Sequence, residues 1–291
     1  MIDFIRDTLN NQSGLSAWQI RYIKSRSSQL YIIDHDTECM RTVDIKKFVI
    51  TVFVERETGG KKVMGESEFL FVQGEDLKSK LDAAVSMAGL VDNEPFILPG
   101  PAQSYKAVKT ADLEIKNNPD KVIMRIQDDI FKAVDREKGI SLSTAEIYVN
   151  LFNIEILNSR GLEVAREDTE IYVEFVLMAG KKEHEEVESG KAQRARFYSN
   201  LKIDDAIKEY AGYALDSLSA ELPPTGKFDV VFSGEALDTL FNWFITQSSG
   251  AAKYERWSLF EEGRAICQGM NSSITYLFFI SAVSPLLSQT V

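Results

Sequence analysis

Residues 47–54, KFVITVFV, are the most strand-like stretch of this chain. β-Branched and aromatic side chains fill it, the composition that suits a pleated, half-buried surface. Shortly after it, TGGK at 58–61 offers two glycines where a hairpin turn needs positive φ. Lys62–Val72 then returns as a second strand, so the sheet is an antiparallel meander. Upstream, Trp18–Lys24 and Leu30–Ile33 read as further strands, and Ile2, Ile5 and Leu9 form one face of a short amphipathic helix. Downstream, Gly74-Glu75-Asp76 opens a helix that buries Leu77, Leu81, Ala84, Val85 and Ala88. Helix on sheet gives a first α+β unit, residues 1–100. The proline-rich stretch DNEPFILPGPAQ (92–103) is extended and closes it.

A second unit, residues 101–222, repeats the theme without repeating the sequence. Asn118-Pro119 starts a helix with proline at its first position, and Val122, Ile123, Ile126, Ile130, Phe131 and Val134 form its apolar stripe. Gly139 is expected to end that helix as its C′ glycine. Two long strands follow, Ala145–Leu157 and Leu162–Ala179, joined by a turn at NSRG (158–161). A third strand is expected around Arg194–Tyr198. Ile203–Leu222 then reads as a helix with Ile207, Tyr210, Ala211, Ala214, Leu215 and Leu218 turned inward.

Residues 223–291 read as the start of a third domain. Phe228–Phe232 is a short apolar strand, Ser233 and Gly234 open a helix, and Ser248-Ser249-Gly250 close it. Leu237, Leu240, Phe241, Phe244 and Ile245 form the helix's apolar stripe. Thr239, Asn242, Trp243, Thr246 and Gln247 form its other side. Further on, ITYLFFI (274–280) is a strongly apolar run that needs a sheet or core partner. The fold class expected is therefore α+β: two sheet-plus-helix units, then an incomplete, β-rich third domain.

Charge narrows the range of partners. The 291 residues carry a formal net charge of −11, with no Lys/Arg cluster free of neighbouring acids. Such a surface disfavours a phosphate backbone, whose binding depends on cations that release counterions. No apolar stretch reaches membrane-spanning length, and MIDFIRDTLNNQSG lacks the basic-then-apolar order of a signal peptide. The two cysteines, Cys39 and Cys267, read as free buried thiols in a reducing cytoplasm. No phosphate-binding glycine loop, dinucleotide fingerprint or nucleophile elbow is present.

Several segments resemble the TldD/PmbA family. EILNSRGLEV (155–164) is similar to that family's hairpin through Asn-Ser-x-Gly. PTGKFDVVF (224–232) resembles its entry into a C-terminal domain, and Ser248–Phe260 resembles its Ser-Gly-Gly-containing stretch. KVMGES (62–67), Asp82–Ala84 and Asn93–Pro95 fit its N-terminal pattern, so the likeness runs over roughly residues 20–268. The resemblance implies a cytoplasmic metallopeptidase system acting on small or unfolded peptides and in peptide maturation, a family once described as modulators of DNA gyrase. It also implies a longer protein, so the chain looks C-terminally truncated.

In the TldD type of that family, the helix after the Val-Val-Phe strand carries His-Glu-x-x-x-His. Two imidazoles hold Zn²⁺ and the carboxylate takes a proton from the bound water. Here Asn242, Trp243 and Gln247 occupy those positions. None is a usual zinc ligand or general base. The chain resembles the PmbA type, which lacks the motif and works beside a TldD-type subunit. The expectation is a chain without catalytic, cofactor or metal residues, with zinc only in a TldD-type partner. Dimerisation with that partner or with itself, and a peptide substrate, are implied in the same way. Asn242, Trp243 and Gln247 are the candidate peptide or partner contacts, with packing against a missing or second domain the favoured reading of Trp243.

Two readings of another kind stand beside this one: a stand-alone peptide-binding or assembly protein, and a non-functional fragment. The two histidines add little. His184, in KEHEE (182–186), reads as part of a solvated charged loop. His35, between Asp34 and Asp36, reads as a polar turn tip. A His35–Cys39 nucleophile pair lacks a third group and an oxyanion hole.

Overall fold

A computed structural model describes residues 1–180, 186–232, 234–261 and 263; His184, Cys267 and the 274–280 run lie outside them, as do the side chains of Glu235 and Leu240. The chain divides into two units, Met1–Glu221 and a second beginning at Leu222.

The first unit is built on one antiparallel sheet in the order β3-β2-β1-β4-β5-β6. Its strands are β1 (Ala17–Ile33), β2 (Asp36–Thr58), β3 (Lys61–Phe71), β4 (Ile140–Asn158), β5 (Glu163–Ala179) and β6 (Val187–Ala195). The two expected sheet-plus-helix units are thus joined. β1 pairs with β2 on one side and with β4 on the other, and the stretch at 92–103 separates two parts of one sheet. β1 is also one continuous strand rather than two. The polar residues Lys24–Gln29 stay in it because both neighbouring strands supply ladder partners along their length. Turn chemistry follows the sequence: Gly59 and Gly60 have φ of 59° and 74° between β2 and β3, and Gly161 has φ 81° between β4 and β5.

Five helices cover one face of this sheet and make two cores. α1 (Ile2–Asn10) and α2 (Leu77–Ala88) pack Ile5, Leu9, Leu77 and Leu81 against Trp18, Ile20, Phe48, Ile50 and Phe71. α3 (Leu113–Asn117), α4 (Pro119–Val134) and α5 (Ile203–Ser217) pack against Leu30, Ile32, Ile147, Ile171 and Phe175. Each fully buried aliphatic side chain contributes about 1.5–3 kcal/mol relative to exposure. α2 is capped by Asp76, whose carboxylate accepts the Ser79 N–H at 3.1 Å, and α4 by Asn118, which accepts the Lys121 N–H at 3.0 Å.

Several local expectations are corrected. α4 ends at Val134, and Gly139 (φ 78°) instead marks the approach to β4. The third strand of the second half lies at Val187–Ala195 rather than at 194–198. The Asp112 carboxylate accepts the Tyr198 N–H at 3.0 Å and the Tyr198 hydroxyl bonds to Asp129, which draws the chain out of the sheet into a 3-10 turn at Tyr198–Asn200. α5 ends at Ser217, leaving Leu215 and Leu218 each 40% exposed. Cys39 is exposed rather than buried, because it stands opposite Tyr31 on the face of the sheet that these helices do not cover.

The other face of the sheet carries no helix from these cores. One end is crossed by the extended stretch from Asn93 to Gly100. Asn93 and Met64 exchange backbone hydrogen bonds at 3.0 and 3.3 Å. Asn158 Nδ2 donates to the Pro99 carbonyl at 2.8 Å, and Arg160 donates to that of Leu98 at 2.7 Å. Leu98 packs with Phe53 and Met64, and Phe96 meets Phe53 edge-on.

In the second unit, α6 (Gly234–Gln247) and α7 (Gly250–Tyr254) are helical as the periodicity predicts, with Gly250 starting α7 rather than only closing α6. Phe228–Phe232 is not a strand. A strand needs a ladder partner, and among the described residues none pairs with it; Phe228, Val230, Val231 and Phe232 are exposed. No strand occurs among the described residues from Leu222 onward.

Candidate functional site

The helix on which the sequence resemblance lays the zinc motif is α6, and its surroundings are built by the chain that turns back along it. Ser249 caps α7 by accepting the Ala252 N–H at 3.1 Å, and Arg256, with φ 62°, redirects the backbone. Residues 258–260 then run against the end of α6. The Ser258 hydroxyl donates to the Gln247 carbonyl at 2.7 Å, and the Leu259 N–H donates to Gln247 Oε1 at 2.7 Å. Gln247 is buried, so its amide serves as an internal latch. Phe260 stacks on Phe244 and meets Trp243 edge-on at 5.8 Å. Trp243 keeps one side exposed.

The three candidate contacts therefore do not converge. Gln247 is engaged within the turn, Trp243 belongs to an aromatic cluster, and Asn242 is exposed. Asn242 lines a shallow hollow of about 390 Å³ with Asp238, Thr239, Phe241 and Ile245. The apolar stripe of α6 is not buried as expected: Leu237, Phe241 and Ile245 are exposed. An indole, a side-chain amide already accepting a backbone proton, and a solvated asparagine do not fit a zinc ion. Among the described residues, no three His, Cys, Asp or Glu side chains gather as a metal-binding group. His35 at the β1–β2 turn lies 3.1 Å from Asp135 and against the Phe131 ring, tying the turn to the end of α4.

A second constellation, which the linear sequence did not reveal, lies on the helix-free face. Register places Arg41, Gln29, Tyr148, Tyr172 and Arg194 in one row across five strands, with Tyr31, Glu146 and Glu174 in the next. Arg41 donates to Gln29 at 2.6 Å and to Tyr31 at 3.0 Å, and the Tyr31 and Tyr148 hydroxyls are 3.0 Å apart. Tyr148 donates to Glu146 at 2.5 Å, Tyr172 donates to Glu174, and Arg194 lies over the Tyr172 ring. Burial, then the Glu146 bond, pushes the Tyr148 hydroxyl well above the usual phenol range. The Glu174 bond and burial push that of Tyr172 up to about 12. Both stay protonated at neutral pH and act as fixed donors to the carboxylates. Only the strand register brings these residues together; no spacing along the chain announces it.

The architecture has counterparts among solved structures. The chain aligns with TldE from Thermococcus kodakarensis over 74% of its length at TM-score 0.56 and 17% identity. It aligns with a candidate modulator of DNA gyrase from Thermotoga maritima over 78% (TM-score 0.58, 16% identity). A second such protein, from Bacteroides thetaiotaomicron, matches over 87% (TM-score 0.62, 14% identity). The chain has the TldE-like fold. It spans about half the length of these structures, covering 47%, 50% and 57% of them respectively. No protein-family model and no curated protein matches it in sequence. In the TldE-like fold of this chain, the long sheet with helices on one face leaves a broad second face and the α6 region as surfaces on which function can reside. No helix among the described residues is long and apolar enough to cross a membrane.

Proposed function

We propose that this chain is a PmbA-like, non-catalytic subunit of a cytoplasmic TldD/PmbA peptidase system. It helps to hold small or unfolded peptides while a TldD-type partner supplies zinc and hydrolysis. The observation that carries this reading is the TldE-like fold, shared over most of the chain with three solved structures. The residues of α6 support it from the side of chemistry. Hydrolysis by zinc requires ligands and a base where Asn242, Trp243 and Gln247 stand. A subunit freed from catalysis can use that helix for contact instead, with Asn242 and the exposed side of Trp243 toward a peptide or the partner.

Co-expression with a TldD-type protein tests the reading. The expected result is a stable complex that cleaves unfolded peptides and loses activity with a chelator, the chain alone being inactive. Chelator-sensitive peptidase activity of the chain alone would overturn it. Peptide binding with self-association but no complex would favour a stand-alone binding protein.

A further inference from the structure

On the face of the sheet that the five helices of the first unit leave open, Arg21 and Lys47 have no partner among the described residues. On β1, Trp18, Ile20, Leu30 and Ile32 point into the helix-covered cores, so the odd-numbered residues point the other way. Arg21 stands on this second face directly between Val49 of β2 and Ile156 of β4, with Ile23 next to it along the strand. Lys47 stands opposite Ile23 and so lies diagonally across from Arg21, within reach of the same ligand. Both side chains are half-buried. Arg21 Nε is closed off from solvent and has no hydrogen-bond partner, and among the described residues neither Arg21 nor Lys47 forms a hydrogen bond or ion pair.

What sets Arg21 apart is the combination of a buried Nε and the lack of any partner. With a net charge of −11, carboxylates are abundant, and Arg6, Arg56, Arg125, Arg136, Arg166 and Arg194 each pair with one. A guanidinium held among aliphatic side chains is partly desolvated, a cost that an anion bound to its outer N–H groups offsets. A carboxylate suits it best, since two N–H groups of the fork match its two oxygens. The aliphatic surroundings call for apolar groups beside that carboxylate. The face is bounded by the Phe96–Leu98 crossing at one end and by the Tyr31, Tyr148 and Tyr172 cluster at the other.

We propose that Arg21 and Lys47 anchor the carboxylate of an extended apolar peptide on the helix-free face of the sheet. Ile23, Val49 and Ile156 receive the side chains next to it. This rests on the reading of the chain as a peptide-handling subunit and assigns that role to a surface.

The test uses the full chain and three dansyl-labelled hexapeptides. One is GAVLIV with a free C-terminal carboxylate, one is its C-terminal amide, and one is the amide with glutamate in the fifth position. Arg21→Met and Lys47→Met should each weaken binding of the free acid by about tenfold and leave the neutral amide unchanged. Arg26→Met, which removes an exposed cation from the opposite face, should change neither. Binding of the glutamate peptide at the strength of the free acid would assign the pocket to any peptide carboxylate; its failure would assign it to the chain terminus. Arg21→Met should melt no lower than the parent, because it removes an unpaired, half-buried charge. Equal binding of acid and amide, an equal loss in Arg26→Met, or no binding by the folded chain would overturn the proposal. Carboxylate-dependent binding without a TldD-type complex would instead remove the subunit reading and leave this one standing.

Discussion

Tyr198 shows how a single side chain sets local architecture. Its ring packs on the larger core with Arg125 over one face, its N–H goes to Asp112 and its hydroxyl to Asp129. Burial and the Asp129 bond push its hydroxyl up to about 12. A pKa higher in the fold than in the unfolded chain means that the folded state holds its proton more tightly. The resulting stabilisation is complete below the ordinary phenol value of about 10 and disappears as pH rises through the folded value. Tyr198→Phe should therefore lower stability by roughly 0.5–1 kcal/mol at neutral pH. The variant and the parent should converge as pH approaches 12, which thermal melts across alkaline pH would follow. Periodicity along 194–198 suggests a strand and says nothing of Asp112 and Asp129, which end the strand at Ala195.

At the scale of elements, the seat of α2 on β3 depends on one glycine. A Cβ on Gly65 would stand 1.7 Å from the Ala88 carbonyl oxygen and 2.7 Å from that of Val91. Both are backbone atoms at the end of α2 and in the turn after it, so no rotamer change can make room. Gly65→Ala should cost about 2–4 kcal/mol, read as a lower urea midpoint. Where an element depends on its own residues, it is legible in the sequence: α1, α2 and α4 follow their apolar stripes, and the glycine turns at 59–60 and 161 follow from φ alone. Phe228–Phe232 has strand composition yet forms no strand among the described residues, because a strand's hydrogen bonds belong to its neighbour.

At the scale of the first unit, β1 and β4 run through both cores, so neither core can open without loosening strands of the other. Ile20→Ala in one core and Ile147→Ala in the other should each cost about 2–4 kcal/mol. Both should shift the same cooperative transition, with circular dichroism and tryptophan fluorescence coinciding. Two separate transitions would mean that the cores are independent despite the shared strands.

The amino-acid sequence by itself determined the α+β class, most helices and the hairpin turns. These follow from side-chain identity and from spacing within a few residues. Only the tertiary structure decided that the two halves share one sheet and that Gln247 is turned inward. It alone placed Arg21 beside Lys47 and aligned the tyrosines of β1, β4 and β5 in a ladder. Those outcomes depend on pairings between residues far apart along the chain. Strand register sets them, and register is a property of two strands together.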